Sequence, residues 1–216
     1  MLTIVMIGLV LSACAARLLM PIAGFGFPST QLFVTWACLL LLIVLGLLRR
    51  VPSPLLLCRT TDLLWGVGLG LALRILQGFL SGANSSPFPD LRVVGGANQF
   101  TEAAVAVLGS VLVAPVLEEG VFRGLALVSC YVYLRRRVGG VPAAIASALI
   151  SSALFVLMHT SGGSSGIESA LQLLILAVTL CGLVFATGRI WGSIFAHVTY
   201  NATFSVLMIV GSIANG

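Results

Sequence analysis

The chain has 216 residues, of which 59% are hydrophobic and only 8% charged, with a net charge of +5 at pH 7. A soluble domain carries about 25% charged residues, so the composition excludes one. The positive balance is not a nucleic-acid signal either, because all 11 basic residues are arginines that cluster at the ends of apolar runs. Apolar runs of about 18 residues or more point to helices that cross a bilayer. The short alternating segments of a β-barrel do not fit.

The expected fold is therefore all-α, a polytopic transmembrane helix bundle of about seven spans, within a range of six to eight. The first is drawn at 2–20. Its sequence reaches Leu-Ser-Ala-Cys at residues 11–14, which resembles a lipoprotein cleavage box. No positive n-region precedes the run, so a first transmembrane helix is the simpler reading than lipidation at Cys14. Pro21, Gly24, Gly26 and Pro28 break this run from the next, at 31–48.

A loop with Arg49, Arg50 and Arg59 precedes the third span, 62–82. The three glycines of that span, Gly66, Gly68 and Gly70, are small enough to let helices approach. Arg74 in the same span is read as snorkelling to the interface or paired inside the bundle. A loop with Asp90 and Arg92 leads to the fourth run, 99–134. As a straight helix that run measures about 54 Å, far more than a bilayer core of about 30 Å. It must tilt, kink near Pro115 or begin along the interface. Arg135, Arg136 and Arg137 follow it. The last spans are drawn at 141–159, 167–187 and 190–212.

By the positive-inside rule the two arginine-rich loops are cytoplasmic, which places the N-terminus inside. Trp36, Trp65, Trp191, Tyr131 and Tyr133 read as interfacial aromatics. The five cysteines, Cys14, Cys38, Cys58, Cys130 and Cys181, are scattered singly. They read as packing residues rather than a disulfide or metal framework.

Ionisable residues inside a membrane are costly and default to functional hypotheses. The spans contain Arg17, Arg74, Glu102, Glu118, Glu119, Arg123, His159 and His197. Arg17, Glu102 and His159 lie near segment ends. Glu118, Glu119 and Arg123 do not: they sit within the apolar stretch "APVLEEGVFRGLA", residues 114–126. Glu119 and Arg123 are four apart and share a helix face. Glu118 lies about 100° around the helix and has no local partner, a setting suited to a general base. "FVLMH" puts Phe155 and His159 four apart, and "HVTYN" puts His197 and Asn201 four apart. Two imidazoles, two carboxylates, an arginine and an amide could converge from three helices. Such a set has the parts to activate a water and to donate hydrogen bonds to an oxyanion.

"EEGVFRG", then "FVLMH", then "HVTYN" resembles the three motifs of the CPBP family, the CAAX proteases and bacteriocin-processing enzymes. Order and spacing both match, over about residues 112–205. The resemblance implies an intramembrane endopeptidase whose CAAX-protease-like core is formed by residues 99–216, with helices lacking any family signature in 1–98. It implies that Glu118 and His159 activate the attacking water. It further implies that His197 and Asn201 form the oxyanion site, and that Glu119 and Arg123 hold the geometry.

The implied substrate is a membrane-anchored or lipidated protein or peptide, cleaved in CAAX-type processing, leader or pheromone maturation, or C-terminal sorting. The implied setting is a bacterial or archaeal cytoplasmic membrane, with the lipid bilayer and substrate as partners, no nucleic acid, and an open oligomeric state. No cofactor is expected. The alternative is zinc on Glu118, His159 and His197, a plausible ligand set although no HExxH is present. Two other functions compete. One is a non-proteolytic membrane scaffold or regulator that keeps the CPBP fold. The other is a proton-coupled transporter, for which the expected inverted repeats are not visible.

Overall fold

The computed structural model describes residues 28–48, 53–85, 88–89, 107–160 and 166–214, together with Gly8. The expected span 2–20 lies outside these residues save for Gly8, as do Cys14, Arg17, Arg49, Arg50, Asp90, Arg92 and Glu102. Among the described residues every regular element is helical. Helix α1 is Pro28–Leu47 and α2 is Thr60–Leu80. A continuous helical rod then runs from residue 107 to 138. It comprises a π-helical turn Gly109–Val113, α3 Ala114–Glu119, a second π-helical stretch Gly120–Leu127, and α4 Val128–Val138. Helices α5, Gly140–Thr160, α6, Ile167–Thr187, and α7, Trp191–Ala214, complete the bundle.

Helices α2, α5, α6 and α7 are long and apolar enough to cross a membrane. In α1 the apolar stretch Phe33–Leu47 is shorter. The protein is thus an integral membrane helix bundle, in which four spans, rather than about seven, meet these criteria among the described residues. The long fourth run explains part of the difference. It is a rod broken twice by π-helical backbone, the first break ending beside Pro115. Proline cannot donate an amide hydrogen to the helix ladder, and π-helical turns absorb such local mismatches.

Helices α2 and α7 run parallel, and glycine sets their closeness. A Cβ at Gly66 would lie 2.4 Å from Cβ of Phe195, and one at Gly70 would lie 2.6 Å from the Ala196 carbonyl oxygen. Gly68 has nothing within 4 Å in that direction, so only two of the three glycines do this work. Asp62 and Arg189 clasp the same two helices at their N-terminal ends, with Arg189 Nη2 2.7 Å from Asp62 Oδ1. Of the two readings for Arg74, pairing inside the bundle is the one observed, with a carbonyl, an amide and a ring as partners. Its Nε donates to the Tyr200 carbonyl at 3.1 Å, it bonds Gln77, and its guanidinium lies 3.8 Å over the Tyr200 ring.

The main core joins Leu39, Leu42, Leu73, Val121, Phe122, Leu125, Phe155, Leu176, Leu180 and Ala196 from all the long helices. A second cluster joins Leu55, Leu127, Cys181, Val184, Ile190 and Ile194, with Ala148 against it. That contact sets the level of α5. Ala148 lies two turns into α5, and Tyr131 of α4 packs edge-on to Phe185 near the end of α6 at 5.4 Å. His159 is eleven residues beyond Ala148, and His197 seven beyond Ile190. At 1.5 Å per residue they rise about 16 and 10 Å above the same layer. Histidines drawn at opposite ends of their spans can therefore meet. Arg135 and Arg137 at the far end of α4 lie over the rings of Tyr131 and Tyr133, at 5.8 and 3.9 Å. Trp36 packs inward instead: a Cβ at Gly109 would lie 2.1 Å from its ring. Cys38, Cys58, Cys130 and Cys181 are free thiols.

Candidate active site

Three pieces of helix supply the polar side chains. The rod supplies Glu118 and Glu119 at the end of α3 and Arg123 in the stretch that follows. Helix α5 supplies His159 from its last turn, and α7 supplies His197 and Asn201. Glu119 and Arg123 are fully buried, Glu118 and His197 nearly so. The His159 side chain is 30% exposed and forms the open edge of the group.

The pair expected from spacing is present, with Arg123 Nη1 2.9 Å from Glu119 Oε1. Arg123 Nη2 also donates to the Ala177 carbonyl at 3.3 Å, and its guanidinium lies 4.7 Å over the Phe155 ring. The same Oε1 accepts from Nδ1 of His197 at 3.0 Å. No sequence pattern signals this last contact, because it joins residues 78 positions apart. Among the described residues, Glu119 Oε2 and Arg123 Nε have no hydrogen-bond partner, and Nη1 meets Oε1 by proximity rather than along a hydrogen-bond direction.

Glu118, without a partner on its own helix, is reached from two others. Its Oε2 lies 3.6 Å from His159 Nε2 and 3.8 Å from His197 Nε2. The opposite ring nitrogens fix what those atoms are. His159 Nδ1 is 2.9 Å from the Phe155 carbonyl, which can only accept, so Nδ1 carries the hydrogen. His197 Nδ1 faces a carboxylate oxygen, and the same holds. In each neutral imidazole Nε2 is then an acceptor. A carboxylate oxygen and two imidazole lone pairs thus surround one small space. Phe155 stacks beside both rings, with centroids 4.3 Å from His159 and 5.8 Å from His197. Phe122 packs edge-on to Phe155 at 5.3 Å. Ser151 donates to the Phe122 carbonyl at 2.7 Å, tying α5 to the π-helical stretch that carries Arg123.

Asn201 is not beside the histidines in the hydrogen-bond network. Its Nδ2 donates to the Ser110 carbonyl at 2.8 Å. It stays on the His197 face of α7, one turn on. As for zinc, among the described residues no group of three or more His, Cys, Asp or Glu side chains could hold a metal ion. The separations of 3.6 and 3.8 Å exceed the roughly 3.4 Å between ligands of a tetrahedral zinc with bonds near 2.1 Å.

Residues 100–203 match the model of a family described as type II CAAX prenyl endopeptidase Rce1-like. No curated protein matches the chain, and no solved structure does. The matched segment holds all three motifs and every side chain of the cluster just described, so this chain carries a Rce1-like domain of the CPBP family at residues 100–203.

Proposed function

We propose that this protein is an intramembrane endopeptidase that hydrolyses a peptide bond in a membrane-anchored, prenylated substrate, with Glu118 as the general base. The observation that carries the reading is the convergence of Glu118 Oε2 with the Nε2 atoms of His159 and His197. A water in the space between them has two hydrogens to give and three acceptors around it. As its oxygen attacks the scissile carbonyl, one proton passes to Glu118. His159, whose tautomer is held by the Phe155 carbonyl, positions that water. The tetrahedral intermediate then collapses, the C–N bond breaks, and the proton held by Glu118 passes to the departing amine.

The oxyanion is the second requirement. Asn201 supplies an N–H. His197 can donate through Nε2 only while it shares the proton that Glu118, 3.8 Å away, has taken from the water, and Glu119 at its Nδ1 is the counter-charge for that state. Glu119 and Arg123 therefore serve as positioning residues. In this reading no resident metal takes part, so activity survives exhaustive chelation. Residues 99–216 are the catalytic unit, and 1–98 are the N-terminal transmembrane part without family signature. Helix α1 and the broken rod are the proposed crossings beyond the four long helices. The sidedness follows the arginine-rich loops, with the N-terminus inside a prokaryotic cytoplasmic membrane.

The test is to map new protein termini in membranes of cells carrying wild-type or Glu118→Ala protein at equal levels. A cleaved species present with the wild type and lost with the variant supports proteolysis and names a substrate. Identical termini, with a cellular phenotype that survives the substitution, reject proteolysis in favour of a scaffold.

A further inference from the structure

The backbone around Pro115 has a hydrogen-bond vacancy, and the vacancy is used. In the π-helical turn Gly109–Val113, the amide of Ala114 bonds to the Gly109 carbonyl, five residues back. The next amide in that register would bond to the Ser110 carbonyl. Residue 115 is proline, which has no N–H to give. Into this position comes Asn201 from α7, its Nδ2 2.8 Å from the Ser110 oxygen. Trp36 of α1 lies against Gly109, where any Cβ would collide with its ring, and so buttresses the turn from the other side.

The bond selects one of two orientations of the amide. The last torsion of asparagine is broad and roughly two-fold, and the two orientations exchange a donor for an acceptor. A carbonyl partner accepts only the NH2 edge. With one N–H on Ser110, the plane of the amide is fixed, and its second N–H remains for another acceptor. A flipped amide would present its oxygen to an oxyanion and repel it.

We propose that Pro115 is a positioning residue for Asn201, acting through the Ser110 carbonyl that it leaves free. The proposal rests on the reading of Asn201 as an oxyanion donor. Any other residue at 115 supplies an amide aimed at the same Ser110 oxygen, and in this proposal the shared acceptor holds Asn201 less firmly. The role belongs to the backbone of residue 115 and not to its side chain.

A double-mutant cycle tests this in liposomes, with wild type, Pro115→Ala, Asn201→Ala and the double variant. The probe is a farnesylated peptide ending in a CAAX sequence. Pro115→Ala is expected to lower kcat about tenfold or more, the scale of a lost or misplaced oxyanion donor, with KM unchanged. In the Asn201→Ala background it is expected to lower kcat no further. Equal losses in both backgrounds overturn the proposal.

Thermal unfolding of the same four proteins reads the coupling without any substrate. Asn201→Ala should lower the unfolding temperature less when residue 115 is alanine, because the new amide replaces the lost donor. An equal drop overturns the proposal. Coupling in unfolding without cleavage of the peptide by the wild type would refute the protease reading while leaving the contact standing. If Pro115→Ala does not fold, Asn201→Asp carries the test: an aspartate cannot donate to the Ser110 carbonyl. It must destabilise at neutral pH at least as much as Asn201→Ala, and a smaller effect overturns the proposal.

Discussion

Two arginine–carboxylate pairs in this bundle are built to opposite standards. At the helix ends, Asp62 uses both oxygens. Arg189 Nε reaches Oδ1 and Oδ2 at 3.0 and 2.9 Å, Nη2 reaches Oδ1 at 2.7 Å, and the Arg59 amide donates to Oδ2 at 2.8 Å. Arg189 Nη1 donates to the Thr187 carbonyl at 3.0 Å. The hydrogen bond to Asp62 pushes the Arg189 guanidinium above its usual value. In the bundle interior, Glu119 and Arg123 are fully buried, yet among the described residues Glu119 Oε2 and Arg123 Nε meet no hydrogen-bond partner. Buried polar groups are normally satisfied, and the exceptions call for a reason. The saturated pair holds helices together. The interior pair meets a third group instead, because His197 Nδ1 lies 3.0 Å from the same Glu119 oxygen.

The contrast can be broken or sharpened by substitution. The largest effect belongs to the interior group. Glu118→Gln should cut turnover about a hundred- to ten-thousand-fold, the range for loss of a general base, with unfolding little changed. A loss below tenfold would place the base elsewhere.

Next comes the packing that the Asp62 clasp secures. Gly66→Ala puts a methyl group into the side chain of Phe195, and overpacking costs about 1–3 kcal/mol. Thermal unfolding in detergent should register it, and an unchanged melting temperature would mean that α2 and α7 are further apart than described here. Asp62→Asn should lower the melting temperature by a smaller amount and leave kcat intact. A fall in kcat without a fall in stability would erase the distinction between the two pairs. The smallest effect is Ser151→Ala, which removes a neutral hydrogen bond to the Phe122 carbonyl. It should cost about 1 kcal/mol, seen as a small shift in melting temperature.

Much of the site was legible because helices have a period. Four-residue spacing put Glu119 beside Arg123 and set His197 and Asn201 on one face, and both relations hold in space. Charges in an apolar run drew attention to Glu118 for a sound reason, the cost of burying them. What escaped was whatever depends on departures from that period or on long sequence separation. Two stretches of π-helical backbone around α3 are not encoded by any hydropathy pattern. Nor does one reveal that Glu119 meets His197, or that Arg189 meets Asp62 across 127 residues. The level of α5 could not be read either. Hydropathy finds the apolar length of a helix and not its offset from its neighbours. The drawn spans put His159 at the end of 141–159 and His197 near the start of 190–212, and only that offset brings the two together. The partner of Arg74 was hidden for a related reason: it is a backbone carbonyl of α7, which no side-chain pattern announces.

The central claim is that Glu118, reached by two histidines, activates water for peptide hydrolysis without a resident metal. The most direct measurement is cleavage of a farnesylated CAAX peptide by the purified protein in liposomes, before and after exhaustive chelation, beside Glu118→Gln. The account predicts release of a C-terminal fragment by the wild type, undiminished by chelation and lost in the variant. Cleavage that persists in Glu118→Gln, or that disappears on chelation and returns with zinc, would contradict it.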